Sequence, residues 1–179
     1  MLNLSSYVIL GLLSKSLQSG YELKRILAKS SSFYGSESNA QIYPVLKRLE
    51  NQGLVNSMRD ETSGARNKRI YEITQKGQAQ LIQWLESDAE LSLSREEFLL
   101  QLSLGQHLAE ATLVEKLNHY SQSIVKKLTE LDKIISHLEI AHTGKADQRY
   151  LLLTYDHLKV VLTAKLAWCD KVKKEFSGT

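Results

Sequence analysis

The chain has 179 residues, 42% of them hydrophobic and 24% charged, with a formal net charge of +3. That composition suits a globular protein of one domain or two small ones. It excludes a membrane span, since no stretch approaches ~18 consecutive apolar residues. The apolar run Val8 to Leu13 is short and has neither a basic leader nor a small-residue cleavage site, so it does not read as a signal peptide. The one cysteine, Cys169, excludes an intramolecular disulfide and suits a reducing cytoplasm. Charge is unevenly spread. Residues 1–84 hold 11 Lys/Arg against 6 Asp/Glu, and residues 85–179 hold 12 against 14. A basic first half followed by a mildly acidic second half points the first half toward a polyanion.

The first predicted helix covers Leu4 to about Ser14, apolar on nearly all sides and therefore buried on more than one. Ser16 to Gly20 is a polar break. A second helix runs from Tyr21 to Lys29, with Leu23, Ile26 and Leu27 forming one buried stripe. Ser30 to Ser36 reads as a loop. A third helix spans about residues 38–52. Ser38 and Gln41 have capping-box spacing, and Gly53 is placed as the C-cap. Ile42, Val45, Leu46 and Leu49 recur at i, i+3, i+4, i+7. Pro44 is tolerated if the helix proper begins near Gln41.

Two strand-like runs follow, Leu54 to Arg59 and Lys68 to Ile73, around a turn-rich middle. They predict a β-hairpin whose tip region spans about residues 60–70. Thr74 caps a fourth helix with Leu81, Ile82 and Leu85 expected on its inner face. Ser87 to Leu93 is the expected boundary, dividing the chain into 1–87 and 88–179. Ser94 and Glu97 form another capping-box pair, opening a helix to about Gly105. A long helix covers Glu110 to Ala141, with Leu117, Ile124, Leu131 and Leu138 seven apart and Val114, Ser121, Leu128 and Ile135 beside them. The last helix, Asp147 to Phe176, has the seam Leu151, Tyr155, Leu158, Leu162, Lys165, Cys169, Val172 and Phe176, in which Lys165 is the polar exception.

Three helices, a hairpin and a fourth helix in about 85 residues is the order of a winged helix-turn-helix. The expected fold class is therefore mainly α, a winged helix-turn-helix followed by an all-helical, coiled-coil-like dimerisation domain. A major groove ~12 Å wide admits one α-helix, which must bury one face and offer polar groups on the other. Projection at ~100° per residue puts the third helix's apolar residues on one side. Ala40, Pro44, Lys47, Arg48 and Asn51 fall opposite, with Gln41 beside them and Tyr43 at the border. Gln41, Lys47, Arg48 and Asn51 are side-chain types that reach base edges or phosphates, and the Tyr43 phenol can donate to a phosphate. The hairpin tip adds Arg66, Lys68 and Arg69, suited to the backbone or the minor groove.

These residues resemble a known family. Ile9 to Leu13, Gly20-Tyr21-Glu22-Leu23, Ile42 to Val55, Tyr71 to Gly77, and Leu81 with Trp84 are similar to the PadR family of transcriptional regulators. Pro44 matches the family's I-Y-P at the start of its recognition helix. Arg95-Glu96-Glu97-Phe98 and Ala167-Trp168-Cys169-Asp170 resemble the branch with a virulence-activator-like C-terminal helical domain. Ile70 and Glu72 depart from the family, which often has an aromatic and a basic residue there. The resemblance implies a homodimer joined by C-terminal helices, binding an inverted-repeat operator in double-stranded DNA. The heptad seam agrees, and a second stripe, Val161 and Trp168, lies on another side of the last helix. Leu151, Leu158, Val161, Leu162, Trp168 and Val172 are the candidate dimerisation residues, the alternative being that all pack within one chain. Dimer geometry sets two recognition helices ~34 Å apart.

No catalytic or metal-binding set stands out. Glu139 and His142 are one E-x-x-H pair with no second, and His107, His119, His137 and His157 are scattered. No enzyme, cofactor or metal is expected. Cys169 on the seam reads as a buried thiol. Phe98 and Trp168 are candidate walls of a pocket for a small aromatic effector, the alternative being plain core. The expected function is cytoplasmic transcription regulation. The competing reading is a winged-helix adaptor holding a protein partner without sequence-specific DNA binding, which the basic third-helix face disfavours.

Overall fold

In the computed structural model, residues 2–29, 42–59, 69–91, 96–141 and 143–177 are described. The backbone divides into two compact units, Met1–Leu91 and Ser92–Thr179.

The first unit opens with α1 (Leu4–Leu13), whose N-cap Asn3 accepts from the Ser6 backbone N–H at 3.1 Å. After it, β1 (Gln18–Ser19) stands where only a polar break is expected from sequence. It pairs antiparallel with the second hairpin strand, giving a three-stranded sheet. A two-residue strand has no alternation to detect, so periodicity misses it. Then α2 (Gly20–Lys29) begins with a reciprocal capping box. The Ser19 N–H donates to Glu22 Oε2 at 2.8 Å, and the Glu22 N–H donates to Ser19 Oγ at 3.2 Å.

The recognition-helix candidate is α3 (Ile42–Asn51). Ile42, Val45, Leu46 and Leu49 are buried, as the spacing predicts. Pro44 falls in the first turn, where its missing N–H has no intrahelical partner to lose. The proposed capping pair Ser38 and Gln41 lies outside the described residues. The helix ends in a Schellman motif: Gly53 has φ 68°, its N–H reaches the Glu50 carbonyl at 2.9 Å, and the Leu54 N–H reaches the Leu49 carbonyl at 2.9 Å. β2 (Val55–Arg59) and β3 (Arg69–Ile73) form the hairpin, in register Val55 to Ile73 and Arg59 to Arg69.

Thr74 caps α4 (Gln75–Leu85), its Oγ1 accepting from the Gly77 N–H at 3.0 Å. The expected inner face is corrected here. Leu81 is buried, but Ile82 is 46% exposed and Leu85 66% exposed. Gly77 sets the helix's rotation. A Cβ there would lie 2.1 Å from the Leu54 carbonyl oxygen, so this side must face the turn after α3. Leu81 and Trp84 continue that side, and the Trp84 ring stacks on Tyr7 at 4.4 Å.

The second unit contains α5 (Glu97–Ser103), a 3-10 turn (Gly105–His107), α6 (Glu110–Ala141) and α7 (Gln148–Ser177). The expected Ser94–Glu97 capping box does not open α5. The helix starts at Glu97 with Glu96 at its N-cap, and Ser94 lies outside the described residues. Leu117, Ile124, Leu131 and Leu138 are buried along α6, matching the heptad reading. Against them pack Tyr155 and Cys169 of α7, both buried. This long antiparallel seam is the unit's core.

Candidate functional site

The outer side of α3 carries the chemistry that its buried side excludes. Tyr43, Lys47, Arg48 and Asn51 are all exposed, opposite the four buried aliphatics. Tyr43 is 58% exposed and lies over the start of α2, where a Cβ on Gly20 would meet its Cε1 at 2.6 Å. Arg48 leans toward α1, its Nη2 donating to Asn3 Oδ1 at 3.3 Å. The sequence offered no signal for that tether. Arg69 stands on β3 with Nη1 4.0 Å from Glu50 Oε2, its side chain 59% exposed. Gln41, Arg66 and Lys68 lie outside the described residues.

Three side chains hold this surface in shape: Glu50 and Lys76, to which the sequence reading gave no role, and Thr74, read there only as a helix cap. Glu50 of α3 accepts the Ser57 hydroxyl at 2.5 Å, joining the helix to β2. Thr74 Oγ1 donates to the Gly53 carbonyl at 2.8 Å, and Lys76 Nζ donates to the Gln52 carbonyl at 2.8 Å. The turn ending α3 is thus pinned by the start of α4.

In the second unit, Phe98 stacks on Tyr120 at 4.2 Å and meets Trp168 edge-on at 6.4 Å. Both expected pocket residues belong to the apolar cluster around Leu117, Ile124 and Cys169. Trp168 also lines a cavity of about 490 Å³ with Glu96, Leu99, Tyr120, Val161, Ala164 and Lys165. Glu96 receives the Tyr120 hydroxyl at 2.5 Å and Lys165 Nζ at 2.6 Å. The Lys165 bond first, and the Tyr120 bond second, hold the Glu96 carboxyl below its ordinary value. Burial, then the bond to Glu96, push the Tyr120 phenol upward. The seam irregularity at Lys165 was the sequence signal for this cluster.

Five of the expected dimerisation residues are used inside the chain, Trp168 among them in the cluster just described. Leu151 and Leu158 pack around buried Leu131, Leu138 and Tyr155; Val172 packs around Leu117, Ile124 and Cys169; Leu162 touches both groups. Val161 is at 36% exposure, on a side of α7 that also presents Tyr150, Leu153 and Val160. Among the described residues, no helix is long and apolar enough to cross a membrane, and no cluster of three metal-ligating side chains occurs.

Residues 9–83 match the "Transcriptional regulator PadR-like family", and residues 94–177 match the "Virulence activator alpha C-term" family. The chain thus carries a PadR-like domain followed by a virulence-activator-like C-terminal domain, and is homologous to PadR-type transcriptional regulators. These are regulators, not enzymes. The negative transcriptional regulator PadR of Bacillus subtilis is 28% identical over 155 residues, covering 83% of this chain and 85% of that one. Its crystal structure in complex with operator DNA superposes with a TM-score of 0.84 at 21% identity, covering 97% of this chain and 99% of that one. Its complex with p-coumaric acid gives 0.79 at 21% identity, over 97% and 96%. The Vibrio cholerae virulence activator AphA gives 0.77 at 23% identity, over 97% and 98%. The fold is therefore a winged helix with a C-terminal helical region.

Proposed function

We propose that this PadR-like regulator binds an inverted-repeat operator as a homodimer, seating α3 in the major groove and the hairpin tip on the adjoining backbone. The observation that carries this reading is the two-sided character of α3. Four buried aliphatics fix the helix to its unit, while Tyr43, Lys47, Arg48 and Asn51 stand exposed opposite them. Lys47 and Arg48 supply charge for phosphates or guanine edges, and Asn51 supplies an amide suited to adenine. Arg69, exposed on β3, extends the cationic surface, and Arg66 and Lys68 are proposed from the sequence alone as further backbone contacts. The Bacillus relative crystallised on operator DNA supports the same use.

Dimerisation is assigned to the exposed side of α7. Tyr150, Leu153, Val160 and Val161 lie on one side of that helix and away from the intrachain seam. An exposed side of this kind, apolar except for His157, fits a self-complementary interface. An effector role is assigned to the aromatic cluster of Phe98, Tyr120 and Trp168 beside its cavity, in keeping with the p-coumaric acid complex of the relative. We place the protein in the cytoplasm, with the DNA, in keeping with its regulator relatives.

The test is binding of genomic operator fragments by fluorescence anisotropy across a salt series. Log affinity should fall linearly with log salt, by ~0.9 per phosphate neutralised. Lys47→Ala should weaken binding and reduce that slope by about 1. Unchanged affinity and slope in Lys47→Ala would refute the assignment of α3. Leu153→Asp with Val160→Asp should yield monomers by ultracentrifugation, and persistent dimers would refute the α7 interface.

A further inference from the structure

We propose that the cavity between α5, α6 and α7 binds an aromatic organic cation, with Glu96 as its counter-ion. This deepens the effector reading above and rests on it. The cavity measures about 490 Å³, within the ~300–1,000 Å³ usual for small-molecule sites. Leu99, Val161 and Ala164 supply apolar wall, and Tyr120 and Trp168 supply aromatic wall. The charged groups lining it are Glu96 and Lys165.

Glu96 is placed unlike an ordinary helix-start carboxylate. It occupies the N-cap of α5 yet makes no side-chain bond to that helix's N–H groups. Its carboxylate turns instead to Tyr120, 24 residues on, and to Lys165, 69 residues on. With these two donors it stays ionised at neutral pH. Tyr120 keeps its proton and so remains a donor, which fixes the carboxylate at the cavity wall.

The charge of the ligand follows from asking which partner can be displaced. An anionic ligand must take Lys165. Glu96 would then keep only the Tyr120 bond and would face a second negative charge beside a largely apolar wall, which disfavours the anion. A cationic ligand takes Glu96 instead. The released Lys165 side chain is already 35% exposed, and its long stem lets the ammonium swing into water. Aromatic faces attract a cation and repel an anion, and Trp168 together with the face of Tyr120 not stacked on Phe98 are the wall groups able to supply one. The cation must be weakly hydrated, such as a quaternary or delocalised ammonium, because the walls offer few groups to replace its water. The p-coumaric acid bound by the Bacillus relative has the opposite charge, so the two proteins would answer different effectors.

The experiment is calorimetric titration of the full-length protein, without DNA, by three probes of one shape class. These are 1-naphthylmethyltrimethylammonium, its neutral isostere 1-neopentylnaphthalene, and 1-naphthylacetate. The cation should bind at least tenfold more tightly than either of the others. Glu96→Gln should lower its affinity at least tenfold and erase the preference. Lys165→Met removes the competing ammonium, so it should tighten the cation and weaken the anion. Circular dichroism checks that each variant folds. If Glu96→Gln does not fold, the Lys165→Met result decides alone. The proposal is overturned if 1-naphthylacetate binds tightest, if Glu96→Gln leaves cation binding unchanged, or if Lys165→Met weakens it. Binding of the anion alone would leave the effector reading standing and remove the charge assignment. Binding of no probe at all would remove both.

Discussion

Two glycine-to-alanine substitutions in the first unit should change stability in opposite directions. Gly77→Ala places a Cβ 2.1 Å from the Leu54 carbonyl oxygen, 2.9 Å from Ile73 Cγ1 and 3.0 Å from the Leu54 carbonyl carbon. The first and last are backbone atoms, and that carbonyl is held by the Thr74 N–H at 3.1 Å. Relief needs the start of α4 to retreat by about 1 Å, enough to bring the contact into the range of real Cβ atoms. That overpacking costs ~1–3 kcal/mol, and stretching the Thr74–Leu54 bond costs a further ~1 kcal/mol. The helix-propensity gain of alanine returns up to ~1 kcal/mol. The net loss is about 2 kcal/mol, or roughly 10 °C in the melting temperature of a unit of this size. A Cβ on Gly11, in α1, meets nothing within 4 Å. Gly11→Ala should therefore gain ~0.5–1 kcal/mol from chain entropy and propensity alone. Differential scanning calorimetry on the full chain measures both shifts. Equal signs for the two variants, or a Gly77→Ala transition within 2 °C of the parent (a bound set well below that ~10 °C), would refute the argument that the contact between α4 and the turn after α3 is sterically fixed.

Gly20→Ala should leave stability within ~1 kcal/mol, because the clashing Tyr43 ring is exposed and free to turn. It should still weaken operator binding severalfold by anisotropy, and unchanged affinity would show that the ring's resting place is immaterial. Glu50→Gln keeps an acceptor for Ser57 and loses only the 4.0 Å pair with Arg69, so it should shift the urea midpoint by no more than ~1 kcal/mol. Glu50→Leu strands the Ser57 hydroxyl and should cost ~1–3 kcal/mol; equal losses in the two would mean the ion pair dominates. Glu96 is held below its ordinary value of 4.5 when folded, so its stabilising share is complete above that pH and is lost as pH falls through the folded value. On acidification below pH 4.5, the melting temperature of the second unit should fall more steeply in the parent than in Glu96→Gln, as followed by circular dichroism. Parallel curves would refute the coupling.

What was legible in the sequence was short-range. The four buried aliphatics of α3, the Gly53 C-cap, the Thr74 N-cap and the α6 heptads all depend on neighbours within about two helical turns, and each stands where its spacing places it. The Ser19–Glu22 capping box had the same legible spacing but was read as a break, because a polar run without an apolar stripe carries no periodic signal. The inner side of α4 was misread for a different reason. Apolar character alone ranks Ile82 and Leu85 with Leu81, whereas the actual rotation is decided by the one residue small enough to lie against the Leu54 carbonyl. Likewise Leu151, Leu158, Leu162 and Val172 could serve an intrachain or an interchain seam equally well, and only the packing of α7 against α6 separates them.

The residues that broke local rules prove more informative than those that obeyed them. Lys165 interrupts an otherwise apolar seam, and Glu96 stands at a helix N-cap without capping it. Each is costly by itself, since a lysine beside a core loses hydration and an N-cap that makes no bond leaves donors unpaired. Together they meet at 2.6 Å, joined by Tyr120, at the wall of one cavity. Two independent departures from the helical pattern, 69 residues apart, converge on one point. A purely structural seam has a simpler solution in an apolar residue at 165 and a Ser or Asp at 96. The first unit offers the contrast. There capping, turn chemistry and packing agree on one conformation, as suits a rigid surface that must present α3 in a fixed pose. Among its described residues the second unit relaxes that agreement most clearly at Glu96 and Lys165, a place with the room, the aromatic walls and the ion pair on which the proposed ligand site is built.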